Sequence, residues 1–289
     1  LRTCIASSFS SLSLPSEPYT ITGGLGGLGL RAARLLSDNG TLFIFISSRS
    51  GRAVHNADGL HELGTVVVAA MCDSADAYET RSTLYISRAA GMLHAAGIAD
   101  AGLVVDLEAR RLLSTCAPKS FGAWHLHSAA STVPLEAQLL FSSVGSGLGN
   151  VGQASYATAN ACLDLLALTQ RAQSRVACSV QWPLISGAGM GAALLDSRAT
   201  KLVVGLAAIS IENYALCLGV QLVLRHAAAV SVQMVHRWRV DDLVTDLADR
   251  SQPRFGELVA QTRPAAPNAS SCTQLDQILR TLAPSQRLV

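Results

Sequence analysis

The chain is 289 residues long, with 49% hydrophobic and 15% charged residues, enough apolar sequence for one sizeable core and too much for disorder over most of its length. Basic and acidic residues nearly cancel, 22 against 20 for a net charge of +2. No Lys/Arg run is long enough to track a phosphate backbone, so nucleic acid is excluded as an expected partner.

The first 18 residues, LRTCIASSFSSLSLPSEP, begin with Leu1 rather than Met, are rich in Ser and carry no acid before Glu17. Two readings compete: a transit-peptide-like stretch, which would point to a plastid, and the linker tail of a chain cut from something longer; the missing Met favours the tail. From Tyr19 a short apolar run over 19–22 leads into a glycine-rich turn, a helical stretch to Ser37 and a run of β-formers, LFIFIS, at 42–47. That is a βαβ opening. Further β-type runs at 66–71, 91–94, 139–143, 176–181 and 230–235 are mostly separated by helix-length segments. Seven strands in this alternation predict an α/β fold, a Rossmann-type doubly wound parallel sheet with helices on both faces. Helices are expected over 105–128, with Pro118 marking a break, over 153–173 and over 211–225.

After about Ser251 the composition turns to Pro, Ala, Ser and Asn, which reads as a linker over 251–271 closing one domain at 19–250. The last 18 residues, 272–289, regain helical spacing through Leu275, Ile278, Leu279 and Leu282. They have nothing of their own to pack on and read as the start of a following domain.

Seven cysteines (Cys4, Cys72, Cys116, Cys162, Cys178, Cys217 and Cys272) are an odd number without a C-x-x-C pair, in mostly apolar contexts. They read as reduced core thiols in a reducing, cytoplasmic compartment. The longest apolar runs, 202–211 and 214–224, are separated by Glu212 and Asn213 and fall short of the roughly 20 residues that span a bilayer. No membrane span is expected.

The turn after the first strand, TGGLGGLG, holds Gly23, Gly24, Gly26, Gly27 and Gly29 and leads straight into a helix. Such a turn lets backbone N–H groups and the positive helix end approach a pyrophosphate. A glycine string alone also serves plain loop geometry; its place between strand and helix favours a cofactor. The next strand ends in SSRSG, which puts Arg49 where an adenosine ribose is met. A guanidinium there suits a 2′-phosphate and so NADPH; the bland alternative is a solvated surface charge. Asp73 either accepts a bond from an adenine amine or is an ordinary turn or N-cap aspartate before the helix at Ala75.

Tyr156 and Asn160 are four apart on an expected helix and face the same way, with Ser143 at a strand end 13 residues before the tyrosine. All three can converge at the carboxyl edge of the sheet. A tyrosine that donates a proton near neutrality needs a neighbouring cation to bring its pKa down. Lys119 is the candidate, against the alternative of a snorkelling surface lysine. His125 and His127 lie two apart on a helix and face different directions, so no metal is expected.

These segments resemble the ketoreductase domains of modular polyketide synthases and related fatty acid synthases, a branch of the short-chain dehydrogenase/reductase superfamily. The resemblance runs from Tyr19 to about Leu258. It rests on YTITGGLGGLG, FISSRSG, MLHAAGI, PKSFGAWHLH, FSSVGSGLGNVGQASYATANACLD and SVQWPLISGAGM, in that order. Most short-chain dehydrogenases carry a lysine four residues after the tyrosine, where this chain has Asn160. The synthase ketoreductases show that same exchange, with the lysine upstream as at Lys119.

The resemblance implies that Ser143 holds the ketone oxygen and Tyr156 protonates it. Lys119 lowers the tyrosine pKa and touches the nicotinamide ribose, and Asn160 supports a proton-relay water. It implies a cofactor site of Thr22, Gly23, Gly24, Leu25, Gly26, Gly27, Leu28 and Gly29, then Ser48 and Arg49, and Cys72, Asp73 and Ser74. His94, Ala95, Ala96, Gly97, Lys119, Tyr156 and Pro183 complete it, with Gly189 and Met190 in a substrate lid. His94 is read as a packed structural histidine rather than a catalyst. The implied reaction is NADPH-dependent reduction of a β-ketoacyl thioester on an acyl carrier protein, among other domains of the same synthase.

Several residues depart from the family pattern. The stretches 52–64 and 73–94 look short for their helices, and Pro183 stands where the family commonly shows glycine. Neither marker of alcohol configuration is present: Ala99, Asp100 and Ala101 replace the Leu-Asp-Asp loop, and Leu148 takes the place of a tryptophan. A free-standing dehydrogenase of small carbonyls and a catalytically silent scaffold domain are the rival readings.

Overall fold

The computed structural model describes residues 2–4, 16–52, 63–100, 102–131, 133, 135–149, 152–189, 208–223, 232–235, 244 and 250–261. Eight parallel strands form its one sheet: β1 (Arg2–Cys4), β2 (Tyr19–Thr22), β3 (Phe43–Ser48), β4 (Val66–Met71), β5 (Gly91–His94), β6 (Ala137–Ser143), β7 (Cys178–Trp182) and β8 (Val232–Val235). Their spatial order is β1-β8-β7-β6-β5-β2-β3-β4. This is the doubly wound sheet expected, with one strand more. The extra strand, β1, pairs with β8 and lies inside the stretch read from sequence as a tail. Three residues leave no periodicity to read; only pairing with a partner more than 200 positions away makes them a strand.

The order reverses between β2 and β5, whose registers bring Thr22 level with His94 at their carboxyl ends. In open α/β sheets the crevice at such a reversal is where ligands bind. β2, β5 and β7 are buried along their whole length, as strands covered on both faces are. The main core joins Ile21, Ile44, Ile46, Leu93, Leu139 and Val180 from the sheet to Ala32, Ala33 and Leu36 of helix α1 (Gly27–Asp38). Phe141, Trp182 and Tyr214 pack ring against ring, with centroids 4.8–6.2 Å apart, in the tilted and edge-on geometries aromatic rings favour.

Helix α2 (Ala77–Ser87) forms three turns in the stretch that looked compressed, opened by Asp76, whose carboxylate accepts from the Glu79 N–H at 2.8 Å. The segment 53–62 lies outside the described residues. The helix expected over 105–128 begins later, as α3 (Ala109–Cys116), and does not break at Pro118. It widens there into one π turn, Ala117–Phe121, and continues as α4 (Gly122–Ala130). Two further helices, α5 (Val144–Leu148) and α6 (Ala154–Ala172), follow β6, and α7 (Ile211–Val223) follows β7.

Residues read as linker from 251 include a folded piece, a 3₁₀ turn over Pro253–Phe255 and helix α8 (Gly256–Gln261). Phe255 and Leu258, three apart, bury with Val244 against Leu148. That helical spacing is the signal the Pro/Ala-rich composition masked. Residues 272–289 lie outside the described residues. No helix among the described residues is long and apolar enough to cross a membrane.

Candidate active site

The glycine turn joins β2 to α1 at the reversal point. Gly23 takes φ +69°, and a Cβ on it would stand 2.6 Å from the Ala96 backbone, so glycine is required twice over there. The Gly24 N–H bonds to the Ser47 carbonyl at 2.9 Å and the Gly26 N–H to the Gly23 carbonyl at 3.0 Å, which fixes the turn. α1 starts behind Gly26 with no side-chain cap and no acid in its first turn. Its amino end therefore keeps the unpaired N–H groups and positive potential that attract a phosphate. The Tyr214 hydroxyl donates to the Leu28 carbonyl at 2.9 Å and braces this end of α1 from α7. At the tip of β3, the Ser47 hydroxyl is buried beside the Cys72 thiol and the Ser48 hydroxyl oxygen is buried without a partner among the described residues, beside an exposed Arg49. A turn that only glycine can form, an uncapped helix end and an exposed guanidinium fit a nicotinamide dinucleotide.

Behind this turn sits a buried hydrogen-bond chain that sets the place of Lys119. His94 is fully buried; its Nδ1 lies 2.7 Å from Thr22 Oγ1 and its Nε2 3.1 Å from the Lys119 carbonyl. A carbonyl only accepts, so Nε2 carries the proton and the Thr22 hydroxyl donates to Nδ1. Burial, aided by the Lys119 charge, lowers the imidazole pKa to about 4, which keeps this tautomer neutral. The Ser74 hydroxyl donates to the Pro118 carbonyl at 3.1 Å. Two successive carbonyls of the π turn are thus held from the sheet side, which is how a widened turn, common at functional sites, stays wide.

The lysine is 3% exposed, and its Nζ donates to the Phe141 carbonyl at 2.7 Å. A Cβ on Gly97 would stand 2.6 Å from Lys119 Cε, so the glycine of HAAG leaves room for the side chain. Burial lowers the ammonium pKa to about 8, with Asp164 opposing the drop. Nζ lies 5.7 Å from the centre of the Tyr156 ring. Tyr156 and Asn160 share one face of α6, and Ser143 ends β6 and caps α5, its Oγ accepting from the Gly145 N–H at 3.2 Å. The Ser143 side chain also hydrogen-bonds toward the Tyr156 phenol. Asn160 is fully buried, donates to the Tyr156 carbonyl at 2.8 Å, and leaves its Oδ1 buried without a partner.

The four residues read as one site from the sequence thus converge, while several of their neighbours play other parts. Thr22, Ser74 and His94, expected to touch the cofactor, commit their polar atoms to the chain that holds the π turn. Asp73 does not cap α2; its carboxylate accepts from the Ala75 N–H at 3.0 Å in a local turn, and its own N–H donates to Glu79 Oε2 at 2.7 Å. Cys72 is buried with its thiol pKa raised by desolvation. Lys119 stands beside the phenol, as a cation that favours its ionised form must, yet the net direction of the Tyr156 pKa is upward. Burial raises it, and the Ser143 and Asn160 side chains pull in the lowering direction.

Pro183 is buried just after β7, and Ala188–Gly189 abuts Gly27 at the start of α1, with the Gly189 N 2.8 Å from where a Gly27 Cβ would be. Met190 lies outside the described residues. Sequence reading passed over Asp164, although it continues the four-residue spacing of Tyr156 and Asn160. It also missed the tether of the loop after β5 to the start of α6. There Ser155 Oγ donates to Asp100 Oδ2 at 2.9 Å, Asp100 pairs with Arg111 at 2.5 Å, and the Gly102 N–H bonds to the Gly152 carbonyl at 2.7 Å. Only the folded register brings these together.

Comparison with known proteins gives the same picture. Residues 18–187 match the KR domain family. The chain is 34% identical over 287 residues to the spectinabilin polyketide synthase system protein NorB of Streptomyces orinoci, covering 94% of this chain and 13% of that protein. It is 36% identical over 197 residues to 6-methylsalicylic acid synthase of Aspergillus niger, covering 61% of this chain and 11% of the synthase. The chain therefore spans only a small part of the curated relatives it matches. Among solved structures, A-type ketoreductases from a modular polyketide synthase superpose with a TM-score of 0.75 at 29% identity, over 87% of this chain and 55% of theirs. The first ketoreductase of the tylosin synthase does so with 0.70 at 29%, over 86% and 56%. A short-chain dehydrogenase/reductase family protein, at 18% identity and a TM-score of 0.66 over 78% of this chain and 97% of that one, shares the fold. On its match to the KR domain family over residues 18–187 and its likeness to these relatives, the chain belongs to the ketoreductase (KR) domain family of polyketide synthases.

Proposed function

We propose that the chain reduces the β-keto group of an acyl thioester, carried on the phosphopantetheine arm of an acyl carrier protein, to the β-hydroxyl with NADPH as reductant. The observation that carries this reading is the meeting of a buried ammonium, a phenol, a serine hydroxyl and an unsatisfied amide oxygen beside an uncapped helix end.

Tyr156 is the proton donor. Its raised pKa keeps the phenol protonated near neutrality, and general acid catalysis of this kind contributes about 10²–10⁴-fold. The Ser143 O–H, which faces the phenol in this structure, turns to the same ketone oxygen when substrate is bound and holds it in line with Tyr156. Lys119, still largely cationic at pH 7 with a pKa of about 8, stabilises the negative charge left on Tyr156 as its proton departs. The Asn160 Oδ1, buried and unpaired, suits a water through which that proton is replaced. A reduced nicotinamide, when bound, supplies the hydride. Arg49 binds the ribose 2′-phosphate, which sets NADPH over NADH.

The carrier protein and neighbouring domains of a synthase are the proposed partners, as the multidomain relatives suggest. Reduction of a β-ketoacyl N-acetylcysteamine thioester, followed by NADPH absorbance, tests the reading. Turnover with NADPH well above NADH, and loss of that preference in Arg49→Asp, is the expected result. Binding of NADPH without reduction of this thioester or a carrier-bound one would instead support a silent domain.

A further inference from the structure

Below the catalytic residues α6 carries a third inward side chain, Asp164, one turn beyond Asn160 and two beyond Tyr156. Its carboxylate gathers donors from two other elements. Ser179 Oγ donates to Oδ1 at 2.6 Å, while Ser146 Oγ and Gln181 Nε2 donate to Oδ2 at 2.6 and 2.8 Å. Ser179 and Gln181 belong to β7, and Ser146 belongs to α5, the turn that Ser143 caps. Ser146 also lies 2.7 Å from the Ser143 carbonyl and accepts from Gln181 at 3.1 Å. Three charge-assisted bonds on one carboxylate therefore join the helix bearing Tyr156 and Asn160 to the turn bearing Ser143.

We propose that Asp164 is a positioning residue: it fixes Ser143 relative to Tyr156 through Ser146, and its negative charge sustains the positive charge of Lys119. The titratable groups around Lys119 among the described residues are His94 from β5, which is neutral, and Tyr156 and Asp164 from α6. Lys119 Nζ binds the Phe141 carbonyl, and Phe141 lies level with Val180, between Ser179 and Gln181, the two β7 residues that hold the Asp164 carboxylate; of the three groups only Asp164 favours the ammonium. Asp164 also faces Cys178 of β7, whose thiol burial pushes up to about 12, so that group brings no charge. The two roles separate by variant. Asp164→Asn removes the charge and keeps the shape. Ser146→Ala removes the link to α5 and keeps the charge.

The chain has only two lysines, Lys119 and Lys201. A sample labelled with [ε-¹³C]lysine thus shows two resonances, and Lys119→Met assigns them. The proposal predicts that Lys119 titrates lower in Asp164→Asn than in the parent, by about half a unit or more, and at the parent value in Ser146→Ala. In the reductase assay both variants lose kcat by about tenfold or more, as small misplacements of reacting groups do, with KM changed less. In Asp164→Asn alone the alkaline limb of the kcat profile moves to lower pH.

An unmoved Lys119 titration in folded Asp164→Asn overturns the electrostatic role, and an unchanged kcat in folded Ser146→Ala overturns the positioning role. Should Asp164→Asn not fold, Ser146→Ala still decides the latter and Asp164→Glu, which keeps the charge, is predicted to retain the Lys119 titration. The kinetic arm rests on the ketoreductase reading. The NMR arm does not, so an inactive parent with a shifted lysine would count against that reading alone.

Discussion

Lys119 sits at a conflict between stability and chemistry. Its pKa falls from 10.5 to about 8 on folding, so between these values the unfolded chain binds the extra proton and stability rises with pH. Below pH 8 the buried ammonium costs the fold about 3 kcal/mol. Lys119→Met removes that cost and leaves the Phe141 carbonyl short of a donor, worth about 1–3 kcal/mol. The variant is therefore expected to melt no lower than the parent at pH 7 while turnover falls about a hundredfold or more. Differential scanning fluorimetry beside the reductase assay checks both halves. His94 behaves in the same sense at lower pH. Its pKa is depressed from 6.5 to about 4, so its contribution is complete above pH 6.5 and is lost as pH falls toward 4, about 3 kcal/mol in all. A plot of melting temperature against pH is expected to drop across that window, and His94→Gln to lack this part of the slope.

At the scale of the element, the π turn is the decisive feature. Pro118 has no N–H to offer the preceding turn, and the carbonyls of Pro118 and Lys119 are held by Ser74 and His94. Pro118→Ala restores the donor and lets the helix wind regularly, which turns Lys119 off its line to Phe141. Helicity by circular dichroism is expected to stay, while kcat falls about 10–100-fold; unchanged turnover would show that the widened turn does not aim the lysine.

Sequence reading expected a break at Pro118 where the helix instead widens and continues, because a proline in a helical pattern announces a fault without saying how the backbone heals it. Helix α6 was legible within a residue at each end, since its apolar spacing is strong and Tyr156 and Asn160 lie one turn apart on it. That Thr22 and Ser74 join His94, read from the sequence as a packed histidine, in the chain behind the π turn was not legible. Nothing local distinguishes a strand-end hydroxyl that faces a ligand from one that faces the next strand's imidazole. Asp164 was missed because its partners come from β7 and α5, which only the sheet order brings together. The three-residue β1 and the α8 turn failed for the complementary reason: too few residues, or too much Pro and Ala around them, to show a period.

The whole molecule places its chemistry at one edge. The reversal between β2 and β5 opens a crevice whose floor is the glycine turn and whose far wall is α6, while the aromatic trio Phe141, Trp182 and Tyr214 ties α7 to β6 and β7 and the Tyr214 hydroxyl braces the start of α1. A dinucleotide that binds only this folded arrangement raises its stability by mass action, about 2.7 kcal/mol at a hundredfold excess over Kd. For a domain of this size that is a rise in melting temperature of roughly 5–10 °C. NADPH is expected to give this shift, NADH a smaller one, and Arg49→Asp to bring the two together.

The most direct test of the proton-donor assignment is the steady-state rate of β-ketoacyl thioester reduction by the parent chain and by Tyr156→Phe, with NADPH binding measured on both. The site predicts that the variant binds NADPH as the parent does and loses turnover by about a hundredfold or more. Equal turnover in the two proteins would contradict the assignment of Tyr156 as proton donor, and with it the site as a ketoreductase centre.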